Sequence, residues 1–205
     1  MGSSQTVDLR RIVAREAAAL LYMGIEKEYK QAKLKAAKNL GVHFLPTNIE
    51  VAIELDRMAE ENEGSTRLER LIRMRHEALM IMRILKKYNP VLFGSVWRGT
   101  ITRNSDIDIT VYSENPIEVL ELLKQHFKIL TAKPMSVTKH GRIRSSFQIL
   151  LELPSGENAE ITVRSIDEVC LREYCEIFGD ENVGLRLQDL EKLLSKNPTR
   201  RFVPF

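Results

Sequence analysis

Asp106 and Asp108 stand one residue apart in a stretch where Ile107, Ile109 and Val111 alternate with Asp108 and Thr110. Successive side chains of a strand point to opposite faces, so the pattern predicts both carboxylates on one face and the apolar residues buried on the other. Two acids in so small a space repel each other and raise each other's pKa, and a divalent cation relieves both effects. Oxygen ligands of this kind suit Mg²⁺, which keeps coordination positions for water and phosphate. Upstream, Gly94-Ser95 follows the short apolar run Val91-Leu92-Phe93. Gly lacks a Cβ, so backbone amides at such a turn approach a phosphate closely, and the Ser hydroxyl adds a donor. A phosphate grip one loop away from a paired-carboxylate cation site is the equipment for moving a nucleotidyl group from a triphosphate to a hydroxyl.

Other residues are weighed against this pair of features. Arg98 and Arg103 lie on the loop between grip and acids, where a triphosphate would meet them, and Arg98 is read as the functional one. Trp97 is expected to pack under the loop rather than stack on a base. Lys139, Arg142 and Arg144 bracket Gly141 at the head of a strand, where phosphate contact and a solvated hairpin tip explain them equally. His140 reads as a surface histidine.

The elements that must position these groups are legible in outline. Residues 8–40 carry Leu9, Ile12, Val13, Ala17, Leu20, Leu21, Ile25 and Tyr29 at helical spacing, stopped by Gly41. Pro46 and the box Thr47-x-x-Glu50 open a second helix to about Asn62. Glu63-Gly64-Ser65 reads as a turn, and Thr66-x-x-Glu69 opens a third helix that ends before Asn89-Pro90. Asn115-Pro116-Ile117-Glu118 starts a helix over 116–127. Residues 144–153 and 159–163 flank Pro154-Ser155-Gly156-Glu157-Asn158 and are expected to pair as an antiparallel hairpin. Ser165-x-x-Glu168 is expected to open a helix to about Phe178, and residues 185–194 to form the last one. The sum is an α+β chain: a small mixed sheet flanked by helices, divided into a helical N-terminal extension over 1–64 and a core over 65–205.

The 205 residues, 43% of them hydrophobic, suit a folded globular chain, and a net charge of +3 permits a polyanionic partner without requiring one. No apolar run is long enough to span a membrane and the N-terminus lacks a secretory pattern, so a cytoplasmic protein is expected. Cys170 and Cys175 have the wrong spacing for a zinc pair or a redox motif.

The run Phe93-Gly94-Ser95-x-x-Arg98-Gly99, followed by Ser105-Asp106-Ile107-Asp108-Ile109, resembles the signature of the DNA polymerase β-like nucleotidyltransferase superfamily, and particularly its minimal bacterial and archaeal members. The resemblance covers about residues 66–165. Residues 8–62, with Arg15-Glu16-Ala17-Ala18 and Glu28-Tyr29-Lys30-Gln31-Ala32-Lys33, also resemble an archaeal group of predicted nucleotidyltransferases. The resemblance implies a catalytic trio of Asp106, Asp108 and a third carboxylate, matched best by Glu160 with Glu152 as its rival. It implies two Mg²⁺ ions, with Mn²⁺ as substitute, held by the trio, and a nucleoside triphosphate clasped by Gly94, Ser95, Arg98 and Gly99. The acceptor is left open among a small molecule, a protein and RNA. A partner-bound, antitoxin-like module of the same fold is the alternative, an RNA-tailing enzyme ranks third, and the N-terminal helices offer a face for a second copy.

Overall fold

A computed structural model describes residues 2–139 and 142–204. The chain opens with helix α1 (Gly2–Tyr22) and helix α2 (Tyr29–Asn39). The single helix expected over 8–40 is thus two: Gly24 takes φ 72° after α1, and the amide of Ile25 returns to the carbonyl of Leu20 at 3.0 Å, closing the helix end. Ala17, Ala18, Ala32, Ala36 and Ala37 are buried between these helices, where small side chains let them lie close.

Helix α3 (Asn48–Ile84) begins with the expected capping box: Thr47 accepts from the amide of Glu50, whose carboxylate takes the amide of Thr47 at 2.6 Å. The expected turn near Gly64 is a kink within this one helix, where Gly64 adopts φ 54° and ψ −137°. The second predicted box does not form, because the Thr66 hydroxyl donates back to the carbonyl of Glu63. After a 3₁₀ turn over Lys86–Tyr88 come strand β1 (Val91–Phe93), the short helix α4 (Gly94–Arg98), strand β2 (Ile107–Tyr112) and helix α5 (Pro116–Lys124), whose Asn115 side chain accepts from the amide of Glu118.

Three further strands follow: β3 (Lys128–Lys139), β4 (Arg142–Glu152) and β5 (Asn158–Arg164). The expected hairpin is β4–β5, antiparallel, with Glu152 opposite Asn158. A short β6 (Leu185–Arg186) leads into helix α6 (Leu187–Lys196). The six strands lie in the order β3-β4-β5-β2-β1-β6, with β2 and β5 parallel and the other neighbours antiparallel. Pro134 lies on β3, an edge strand, the place in a sheet where proline is tolerated.

The helix expected from Ser165 to Phe178 is replaced by a 3₁₀ turn over Ile166–Glu168 and an irregular segment. Its apolar residues have no core to face: Ile166, Leu171 and Tyr174 are exposed. Its backbone is tied instead by Cys175 to Asp180 and by Asn182 to Glu173.

Ile107, Ile109 and Val111 of β2, Ile149 and Leu151 of β4, and Ala159, Ile161 and Val163 of β5 share one core cluster with Leu71, Met74, Ala78 and Met82 of α3. A second cluster, Val13, Ala17, Ala36 and Val51 among its members, lies in the N-terminal helices. Among the described residues, no helix is long and apolar enough to cross a membrane.

Candidate active site

The buried alternation of β2 fixes the direction of its acids. Because Ile107 and Ile109 enter the core, Asp108 projects from the other face, together with the residues level with it on neighbouring strands. Those residues are Phe93 on β1 and Glu160 on β5. Asp106 immediately precedes the strand. Burial pushes the Asp108 carboxyl up to about 7, with Asp106 and Glu160 adding repulsion, and burial also raises Asp106. Glu152 does not join them: it lies on β4, level with Asn158 and separated from β2 by β5, and it pairs with Lys128 at 3.0 Å. The third carboxylate beside the pair is therefore Glu160.

Gly94 follows β1 directly, and its φ of 69° is one that only Gly adopts without strain. The side chain of Asp108 lies over its Cα, at a place where an added Cβ would stand 1.9 Å from Oδ2. Helix α4 starts at this glycine, so its leading amides, unpaired within the helix, emerge beside the acids. The glycine turn and the Asp108 carboxylate are in contact.

Three arginines of α3 hold the connecting loop from beneath. Arg75, fully buried, donates to the carbonyls of Val96 and Trp97 at 3.0 and 2.8 Å, and to Pro198 and Arg200 of the C-terminal segment. Burial pushes its guanidinium down to about 10. Arg70 donates to the carbonyls of Thr102 and Ser105, at 2.7 and 3.0 Å, and its other edge takes both oxygens of Glu157. Arg67 reaches the carbonyl of Ile101 at 2.7 Å and pairs with Asp56. The Ser105 hydroxyl accepts from the amide of Thr102 at 2.9 Å, completing the turn that delivers Asp106. Sequence reasoning missed these arginines, although Arg67, Arg75 and the apolar Leu71, Met74, Ala78 and Met82 recur on one helical face. A cation on a core-facing stripe signals a buried partner set.

Arg98 departs from the expected nucleotide contact. It is 4% exposed, pairs with Asp180 at 2.8 Å, donates to the carbonyl of Phe202 and lies over the rings of Trp97 and Phe178. Its charge is committed inward because the C-terminal segment covers it. Gly99 is the left-handed cap of α4, with Arg200, Arg201 and Arg75 where a Cβ would go, so it too serves packing. Trp97 is buried and meets Phe93 edge-on at 6.3 Å. Arg103 lies over the ring of Tyr22 and donates to its carbonyl, joining the loop to α1. His140 and Gly141, and the side chains of Lys139 and Arg142, lie outside the described residues; Arg144 pairs with Glu173.

Among the described residues no cation pairs with Asp106, Asp108 or Glu160, and no three His, Cys, Asp or Glu side chains stand in a ready-made metal cage. A half-buried trio of carboxylates without a cation partner has the donor chemistry of a Mg²⁺ site, since Mg²⁺ keeps several waters and needs only one or two protein carboxylates.

Residues 79–163 match the family model described as "Nucleotidyltransferase domain". No curated protein matches the chain. Solved structures similar to the chain include that of a GLD-2/RNP-8 complex, at 15% identity and a TM-score of 0.30, and that of a cytoplasmic RNA terminal U-transferase, at 19% identity and a TM-score of 0.27. The matches cover 52% and 57% of this chain, which spans only 43% and 34% of those chains.

Proposed function

We propose, from the match of residues 79–163 to the nucleotidyltransferase-domain model and from the geometry of the site, that this chain is a DNA polymerase β-like nucleotidyltransferase that transfers a nucleoside monophosphate from a nucleoside triphosphate to an acceptor hydroxyl. The acceptor oxygen forms a new bond to the α-phosphorus. The bond from that phosphorus to the bridging oxygen breaks, its electrons leave on pyrophosphate, and the hydroxyl proton passes to water. The observation that carries this reading is the contact of Gly94 with Asp108, itself level with Glu160 on the adjacent strand.

Gly94 and Ser95 bind the terminal phosphates through backbone amides and one hydroxyl. Asp106, Asp108 and Glu160 would hold Mg²⁺, which supplies charge neutralisation at the transferred phosphoryl group and at the leaving oxygen. Arg67, Arg70 and Arg75 bind no substrate; they fix the loop so that grip and acids keep their spacing. We further propose that the chain divides near Gly64, because the two core clusters end at Leu55 and begin again at Leu71.

The test is incubation of the full chain with each α-labelled nucleoside triphosphate and Mg²⁺ or Mn²⁺, with released pyrophosphate and labelled products measured. Asp106→Asn and Asp108→Asn should each abolish Mg²⁺-dependent release while keeping a cooperative unfolding transition. Release that survives in both variants sinks the proposal.

A further inference from the structure

We infer that the acceptor is a small, hydroxyl-rich molecule without an anionic group, seated in the cleft beside Glu160; this rests on the nucleotidyl-transfer reading above. The strand order decides the side from which it enters. Gly94-Ser95 follows β1, on one flank of Asp108, and Glu160 on β5 lies on the other, with β4 beyond it. In-line displacement places the entering oxygen opposite the leaving pyrophosphate. A pyrophosphate held at the end of β1 therefore requires the acceptor to approach over β5 and β4.

A cavity of about 320 Å³ lies there, lined by Glu160 and Thr162 of β5 and by Ser146 and Gln148 of β4, among other residues. Gln148 and Thr162 are directly opposed across the hairpin, above the buried Ile149 and Ile161. Hydroxyl and amide groups donate and accept, which suits a molecule rich in hydroxyls. The volume is at the lower end of small-molecule sites and suits one ring rather than a polymer.

The same walls disfavour a nucleic-acid end. Arg144 and Arg164 line the cavity, but both donate to Glu173, and Arg164 is also 3.8 Å from Glu168. A phosphodiester there would have to displace those carboxylates from the guanidiniums that phosphate binding needs. Among the described residues, no aromatic side chain lines the cavity, so a terminal base has no ring on which to stack.

The test offers the full chain, with Mg²⁺ and an α-labelled nucleoside triphosphate, four probe acceptors: glucose, glucosamine, glucuronate and an oligoadenylate with a free 3′-hydroxyl. Label should pass to glucose and glucosamine, at least roughly tenfold less to glucuronate, and not to the oligonucleotide. Gln148→Trp, which fills the cavity, should raise the KM of the labelled sugar by roughly tenfold more than that of the nucleotide. If that variant does not fold, Thr162→Lys replaces it and should shift preference toward glucuronate. Labelled oligonucleotide, equal use of glucuronate, or a KM effect confined to the nucleotide would overturn the inference. So would failure to label either sugar while Asp108-dependent pyrophosphate release to water persists. Absence of any Asp108-dependent release removes the underlying reaction instead, a distinct result.

Discussion

The carboxylate of Asp108 occupies the space directly over the Cα of Gly94, where a methyl group would stand 1.9 Å from Oδ2. The glycine is therefore required twice: for its positive φ and for the room it leaves to an acid. The Gly94 turn and Asp108 share one contact, so neither is free to move without the other.

Gly94→Ala should cost about 2–4 kcal/mol of stability, from left-handed strain plus overpacking, and should reduce transfer by at least ~100-fold through displacement of Asp108. Chemical denaturation and pyrophosphate release measure the two effects. The contact also predicts coupling: in an Asp108→Ala background, Gly94→Ala should cost about 1 kcal/mol less or better. Strict additivity of the two substitutions would show that the clash is not the cause.

Asp108→Asn should abolish transfer yet stabilise the metal-free protein. The folded carboxyl, pushed up to about 7 by burial and by its acidic neighbours, holds its proton where the unfolded chain has released it. Between about pH 4 and 7 the native state binds more protons, so wild-type stability falls as pH rises, and the deficit levels off above about 7. At pH 8 the variant should exceed the wild type by roughly 2–4 kcal/mol without metal. Added Mg²⁺ should raise the wild-type melting temperature and not that of Asp108→Asn. Equal metal-free melting curves across this range would contradict the account.

How much of this the residues disclose depends on the range of the interactions. The alternation around Asp108 and the caps at Thr47 and Asn115 are local, and each forms as its spacing requires. Gly64 shows the limit: a turn signal is read correctly, but whether the chain reverses or merely kinks depends on distant packing. The failure at residues 165–178 has the same origin, since helical spacing there meets no core. Glu160 and Glu152 look alike as letters, and only strand register puts one beside Asp108 and the other beside Lys128. Arg98 reads as a phosphate ligand because its partners, Asp180 and Phe202, lie far along the chain.

Arg98→Lys should lower stability and leave nucleotide affinity in place. A lysine loses the fork that engages both oxygens of Asp180 and the carbonyl of Phe202, as well as its stacking on Trp97. Removing one partner of a fully buried pair costs about 3–5 kcal/mol; because Asp180 is 35% exposed, the lysine should lose only roughly 1–2 kcal/mol. The KM for the nucleoside triphosphate should change by less than about threefold. A tenfold rise in KM with an unshifted melting temperature would return Arg98 to the nucleotide site.

Arg70 links the stability of the hairpin turn to the placement of Asp106, because one guanidinium takes both oxygens of Glu157 and the carbonyls of Thr102 and Ser105. The Arg70 pair holds the Glu157 carboxyl below its ordinary value. A depressed carboxylate adds stability above its unfolded pKa and loses it as pH falls through the folded one, so this contribution disappears in acid, below about pH 4. Glu157→Gln should flatten that acid limb at a cost near neutrality of ~1 kcal/mol, kept small by partial contact with solvent. Arg70→Met should do more, because it also frees the carbonyl of Ser105: kcat should fall about 10- to 100-fold through misplacement of Asp106, with the KM for nucleotide little changed. If Arg70→Met lowers the melting temperature and leaves kcat intact, the turn before Asp106 holds its shape without this arginine, and Arg70 only staples the hairpin to α3.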